Sequence, residues 1–310
     1  MAAIECNLFQ GATGDLLLIR GNGADGSIIA PRLRAEVTAQ PDADGWFTWQ
    51  QGGQRKNIER MGRLNWFAKD SQWNDRLDSL LPSSGEIDLT LHLHGAPTVV
   101  ESNFLRAGSS GVLVNVTLPG LSTVYTERFR DPNVFHRILD ETGAQLKAHG
   151  LTDGQRFRRV TVSSFSAGFG GVRELLKNEG TLDRIDALVM ADSIYAGYTG
   201  DSATRGVNPV HMVGFLKFAR AAAQGRKRMI ISYSQQRPDG YASTTETADY
   251  LISQLGGVRE IIAETWPGGL KLLSRFRKGH LEIYGLAGDT GADHMRHLQN
   301  LSGFLGRSCE

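Results

Sequence analysis

A chain of 310 residues with 40% hydrophobic content is long enough to bury a full core, as one large α/β domain or two modest ones. Its 34 basic and 33 acidic residues leave a formal charge of +1, so no broad field grips nucleic acid or anionic lipid, and neither is expected as a partner. No apolar run approaches the roughly 20 residues that span a bilayer, and the start, Met1-Ala-Ala-Ile-Glu-Cys6, lacks the basic and apolar regions of an export signal.

Cys6 and Cys309 are the two cysteines, which excludes a disulfide framework and leaves open a single bridge between chain ends, and with it the compartment. The first 85 residues are rich in turns and aromatics. Residues 15–20, 33–39 and 46–50 read as short strands separated by Asn22-Gly23, Asp25-Gly26 and Asp44-Gly45, all turn dipeptides. An antiparallel, β-rich N-terminal part (residues 1–85) packed on a main domain (residues 86–310) is expected, with the boundary at Pro82-Ser83-Ser84-Gly85. Trp46, Trp49, Trp66 and Trp73 are expected to seal that layer onto its neighbour, the alternative being an aromatic binding surface.

From residue 87 short apolar runs alternate with helical stretches, the pattern of an α/β fold whose mostly parallel central sheet is flanked by helices. Strands are predicted at 87–93, 112–118, 159–163, 187–191, 228–232 and 281–286, and helices at 133–149, 167–178, 209–223, 243–255 and 293–305. Asp131-Pro132 supplies a cap and a first-turn proline for the first helix, and Gly150 its stop. The basic runs at 156–159 and 226–228 each precede a strand and read as solvated strand entrances. Ligands of a parallel sheet sit beyond the carboxyl ends of its strands, so the loops there hold the candidate residues.

The first of these strands ends in Leu91-His92-Leu93-His94-Gly95-Ala96-Pro97. Gly95 allows close backbone approach. His92 and His94, two apart on a strand, share a face that suits a metal, but Gly-Ala-Pro adds no ligand and no metal is expected. The strand alternates polar and apolar residues, less apolar than a doubly covered parallel strand requires.

Ser164-Phe165-Ser166-Ala167-Gly168 must turn the chain from a strand into a helix within a few residues. A serine at the apex of such a turn lifts its hydroxyl above the sheet, and the residues two before and two after must be small because the strand and helix backbones nearly touch. The helix N-terminus and the Ala167 amide then face any negative charge that develops. The overlapping Gly168-Phe169-Gly170-Gly171 misses the phosphate-cradling spacing, with Arg173 where the last glycine belongs.

This strand–serine–helix motif resembles the nucleophile elbow of the α/β-hydrolase superfamily, Gly-x-Ser-x-Gly, with Ser164 in place of the first glycine. The resemblance covers roughly residues 87–305 and implies a serine esterase or lipase-like enzyme with no cofactor. Ser166 would be the nucleophile, His294 after the last strand its base, and His297, one turn further on, the competitor for that role. Two carboxylates compete to orient the histidine. Asp192 ends the strand 187–191, and Asp239 lies in Gln235-Gln-Arg-Pro-Asp-Gly240; Asp192 is preferred because a strand end holds a side chain more rigidly than a turn. The resemblance further implies an oxyanion hole from the amides of Ala96, beside Gly95, and Ala167, with His94 lining the pocket. Tyr195, in the loop 194–208, is a candidate substrate wall, and Trp266 is expected to pack. The expected substrate is a small-molecule carboxylic ester; an amide or peptide, or a silent scaffold that binds without turnover, are the alternatives.

Overall fold

The computed structural model describes the backbone at residues 4–11, 14–21, 31–32, 47–51 and 54–58, and then residues 87–309 except 108, 110, 119, 149–156 and 201–204. Side chains are described from residue 88, apart from those exceptions and residues 98, 105, 145–148 and 309. Strands β1 (Ile4–Gly11) and β2 (Gly14–Gly21) form an antiparallel hairpin, with β3 (Pro31–Arg32) parallel to β1. A second hairpin joins β4 (Phe47–Gln51) to β5 (Gln54–Ile58). These match the strands predicted at 15–20 and 46–50. The strand predicted at 33–39, the side chains of the four N-terminal tryptophans and the pairing of Cys6 with Cys309 lie outside the described residues. The first hairpin continues the main sheet: β2 runs parallel to the later strand at 112–116, Leu17 opposite Val112. Residues on either side of the expected boundary at residue 85 therefore share one sheet.

The remaining elements follow in chain order: β6 (Ile87–Leu93), α1 (Pro97–Arg106), β7 (Val112–Val116), α2 (Ser122–Phe129), α3 (Val134–Ala148), β8 (Phe157–Phe165), α4 (Phe169–Leu175), α5 (Glu179–Arg184), β9 (Ala187–Ala191), the short β10 (Tyr198–Thr199) and β11 (Gly206–Val207), α6 (Pro209–Ala223), β12 (Arg228–Tyr233), α7 (Thr244–Gln254), β13 (Glu260–Trp266), β14 (Leu270–Lys278), β15 (Leu281–Leu286), α8 (Gly291–Gln299) and α9 (Leu301–Cys309). The main sheet has the order β13-β14-β15-β12-β9-β8-β6-β7-β2-β1-β3. Its central run from β2 to β15 is parallel throughout, so the protein is α/β with a mostly parallel sheet. The chain steps outward from β6 to β7, then returns across β6 to β8 and continues the other way. That reversal opens a crevice at the carboxyl ends of β6 and β8.

Helices cover both faces, so the central strands are buried on both sides, and β9 is apolar throughout. Along β9, Leu188 and Met190 join the cluster holding Tyr125, Phe129, Phe215 and Leu251 from α2, α6 and α7. Val189 and Ala191 join the opposite cluster with Phe104, Leu298 and Phe304 from α1, α8 and α9. The alternation is the two-residue period of a strand, and each fully buried Val, Leu, Met or Phe side chain contributes roughly 1.5–3 kcal/mol. The polar alternation of β6 has its cause here. Leu89, Leu91 and Leu93 enter the first cluster, while Thr90 and His92 occupy the other face, where the His92 ring hydrogen-bonds the Ser163 hydroxyl at 2.7 Å.

Several elements depart from the sequence reading. The helix predicted at 167–178 stops at Leu175, and Asn178 caps the separate α5 by accepting from the Thr181 amide. The helix predicted at 293–305 is two helices meeting at Asn300. Helices α1 and α2 and strands β13 and β14 were not expected. On β14 the buried residues alternate, Leu270, Leu272, Ser274 and Phe276 facing inward, and β13 is an exposed edge with Ile261 78% accessible; neither has the apolar run of a central strand. Trp266 packs as expected, its ring 4.6 Å from Tyr284 with the Arg307 guanidinium 4.4 Å from its centroid. Among the described residues no helix is long and apolar enough to cross a membrane.

Candidate active site

One turn of 3-10 helix, residues 166–168, joins β8 to α4. Ser166 at its start has φ 46°, a left-handed conformation that costs a residue with a Cβ on the order of 1–2 kcal/mol and persists only where the surroundings enforce it. The enforcing contacts are visible. The Ser166 carbonyl accepts from the Ser193 hydroxyl at 2.9 Å, and Ser193 Oγ lies 2.5 Å from Ser164 Oγ. Ser164 thus ties the bend to the end of β9, a role a glycine there cannot fill. A Cβ on Gly168 would come 2.3 Å from the Leu93 carbonyl oxygen and 2.7 Å from Ser164 Oγ. Gly168→Ala is therefore expected to destabilise the fold by about 1–3 kcal/mol through overpacking, measured as a lowered denaturant midpoint; an unchanged midpoint would contradict the tight crossing.

Asp192 follows the last residue of β9, fully buried, with φ 45°. The His294 ring Nδ1–H donates to its Oδ2 at 2.6 Å. Its Oδ1 accepts from the Ser234 amide at 2.9 Å and, in a short bond, from the Thr244 hydroxyl. Burial opposes the charge on Asp192, but the attraction of His297 and His294, with the hydrogen bonds from His294 and Thr244, outweighs it and holds the carboxyl well below its usual range. His294 sits in the first turn of α8, which Thr290 and Asp293 close as a reciprocal cap. Its ring stacks on Phe165, the residue before Ser166, at 4.6 Å. With Nδ1 engaged by Asp192, Nε2 is the nitrogen left for the cavity that His294 and Ser166 both line.

The competing residues are elsewhere. Asp239 lies exposed in its turn, and the His294 Nδ1–H is taken by Asp192. His297 is buried behind the carboxylate, its Nδ1 2.8 Å from Ser232 Oγ and its Nε2 3.9 Å from Asp192 Oδ2. His92 is buried too, donating from Nε2 to the His94 carbonyl at 2.9 Å and accepting at Nδ1 from Ser163. Desolvation lowers the pKa of both His92 and His297 to about 4. The unfolded chain, with ordinary histidines, binds more protons between about pH 6.5 and 4. Stability is thus full above that window and falls as pH drops through it, by about 2.7 kcal/mol per pH unit for two groups. Melting temperatures across the window should fall steeply; a flat profile would mean that these rings are hydrated.

His94 leaves the strand at φ 68°, so it does not share a face with His92. Its Nδ1 accepts from the Tyr125 hydroxyl at 3.0 Å, and that oxygen accepts from the Leu118 amide at 2.8 Å. Tyr125, which the sequence reading did not single out, has its pKa pushed up to about 12 by burial. Burial, and then the charge of His294, lower the pKa of His94. Among the described residues no cluster of three or more His, Cys, Asp or Glu side chains suits a metal.

The cavity has a volume of about 470 Å³. Ser166, Ala167 and His294 line it together with Leu121, Ser122, Phe169, Arg173, Tyr195, Ala196, Gly197, Gln236 and Tyr241. The Tyr195 ring lies 5.3 Å from the Phe169 ring and 5.6 Å from that of Tyr241. Gly95, Ala96 and His94 are not among the lining residues. The Gly95 carbonyl accepts from the Thr117 hydroxyl at 2.7 Å, and the Ala96 carbonyl opens α1 by accepting from Val99 and Val100. Leu121 and Ser122, at the start of the unforeseen α2, do line it. The Ala167 amide, in the first turn of a helical segment, has no partner within that turn. No known protein-family model matches the chain, and no curated protein matches its sequence.

Proposed function

We propose that this chain is a serine hydrolase of the α/β-hydrolase type that cleaves small-molecule carboxylic esters through an acyl-enzyme intermediate. One observation carries the reading: a left-handed Ser166 and an Asp192-bonded His294 line a single cavity at the crevice where the strand order reverses. The placement of the serine after β8, the acid after β9 and the histidine after β15 supports the same superfamily. Ser166 Oγ attacks the acyl carbon while His294 Nε2 takes its proton, and Asp192 stabilises the resulting imidazolium. The Ala167 amide donates to the tetrahedral oxyanion. His294 then protonates the departing alcohol, and water, activated by the same nitrogen, releases the acid. No step requires a cofactor.

The test is covalent. A fluorophosphonate should modify the folded protein once, at Ser166, as read by mass spectrometry of its peptides. Folded protein that resists the reagent, or carries it at another residue, would remove the nucleophile and the reading with it.

A further inference from the structure

Arg173 stands in the second turn of α4 and lines the cavity shared by Ser166 and His294. The neighbouring carboxylate, Glu174, is taken by Lys177 Nζ at 2.7 and 2.8 Å. Among the described residues the Arg173 guanidinium makes no hydrogen bond or ion pair; it lies over the Phe169 ring, 5.3 Å from the centroid. The residue is half-buried, and that loss of water lowers its pKa. A planar fork of five N–H donors partly stripped of water, with no acceptor supplied by the described protein, is matched by an anionic ligand.

The rest of the wall gives the anion's character. Among the described residues no Asp or Glu lines the cavity, and Arg173 is the permanent cation there; Ser122, Gln236, Tyr195 and Tyr241 are neutral donors and acceptors. The guanidinium fork pairs bidentately with a carboxylate, whose single negative charge it balances. Arg173 lies seven residues beyond Ser166, a rise of roughly 10 Å along a helix, and helical side chains lean back toward the N-terminus. The guanidinium lies over Phe169, one turn back toward Ser166, so a short acyl chain is the ligand that would bridge the two.

We propose that Arg173 determines the specificity of this cavity, and that the substrate is an ester whose acyl part carries a second, free carboxylate, a half-ester of a short dicarboxylic acid. The identity of the attacked bond rests on the hydrolase reading, but recognition of the carboxylate does not. Binding is measured by calorimetry on Ser166→Ala, which keeps the cavity and removes turnover. The para-nitrophenyl half-esters of succinate, glutarate and adipate should bind about tenfold or more tightly than the same esters capped as methyl diesters. Adding Arg173→Gln should bring that ratio to about one, and Arg173→Lys should keep part of it. In the active enzyme the ratio should recur in kcat/KM, chiefly through KM.

Equal binding of charged and capped esters to Ser166→Ala overturns the proposal, whether or not the arginine variants fold. So does a preference that survives Arg173→Gln in a protein with a normal melting temperature. If capped esters are cleaved with Ser166 dependence and the charged ones bind no better, the carboxylate site falls and the hydrolase stands. If the half-esters bind with an Arg173-dependent preference and no ester is cleaved, the hydrolase falls and the carboxylate site stands.

Discussion

Ser166→Ala should lower kcat for para-nitrophenyl acetate on the order of 10^5 to 10^6-fold, with KM little changed, because the hydroxyl acts on the acyl carbon and not on ground-state binding. The Asp192–His294 pair and the Ala167 amide remain, so residual catalysis over water is expected. Stability should be preserved. The enforcing bond at this residue uses its carbonyl, not its hydroxyl, and alanine at φ 46° bears the same left-handed cost as serine. Single-turnover kinetics on protein with an unshifted thermal melt measures this. A variant that keeps a tenth of the wild-type rate would show that another group is attacking.

The second large effect is at the acid. Asp192→Asn should reduce kcat about 10^4-fold at neutral pH, and the hydrogen bonds give the reason. Oδ1 accepts from both the Ser234 amide and the Thr244 hydroxyl, so the carbonyl oxygen of an asparagine would take that side and its NH2 would face His294. An NH2 group cannot accept from Nδ1–H. The imidazole would then place its proton on Nε2, the nitrogen that must receive the Ser166 proton. Asp239→Asn, an exposed change, should leave the rate within about twofold. The pair of measurements separates the two carboxylates. Comparable losses from both, or a loss confined to Asp239→Asn, would overturn the assignment of the acid.

Much of the site was legible in the chain because local sterics leave few choices. A serine between a β-run and a glycine-rich helix start must bend sharply, and the close approach of the Leu93 carbonyl to Gly168 is the crowding that makes small residues obligatory there. Asp192 was preferred to Asp239 on rigidity, and the strand end does hold it by three hydrogen bonds from 234, 244 and 294. His294 was singled out over His297 by its place in the loop before a helix. The acid's buried surroundings were not legible, since Thr244 and Ser234 are distant in sequence and unremarkable as residue types.

The pocket wall was read less well. Ala96 and Gly95 were assigned to it by analogy, whereas Leu121 and Ser122, at the start of a helix whose short polar sequence hides it, are among the residues that line the cavity. Arg173 entered the sequence reading only as a residue that spoils a glycine motif. Its placement against the cavity, over the Phe169 ring, depends on how α4 packs, which spacing alone does not decide. The antiparallel β13 and β14 were missed because an edge strand need bury only one face or neither.

By itself the sequence determined the α/β alternation, the bend at Ser166 and a short set of partners for it. These follow from periodicity and from the volume of adjacent side chains, both local quantities. Only the tertiary structure decided that β2 joins the central sheet, that His92 and His297 are buried neutral rings and that Arg173 faces the cavity of Ser166. Each depends on which surfaces meet across tens or hundreds of residues, and burial changes the chemistry of a side chain without changing its name.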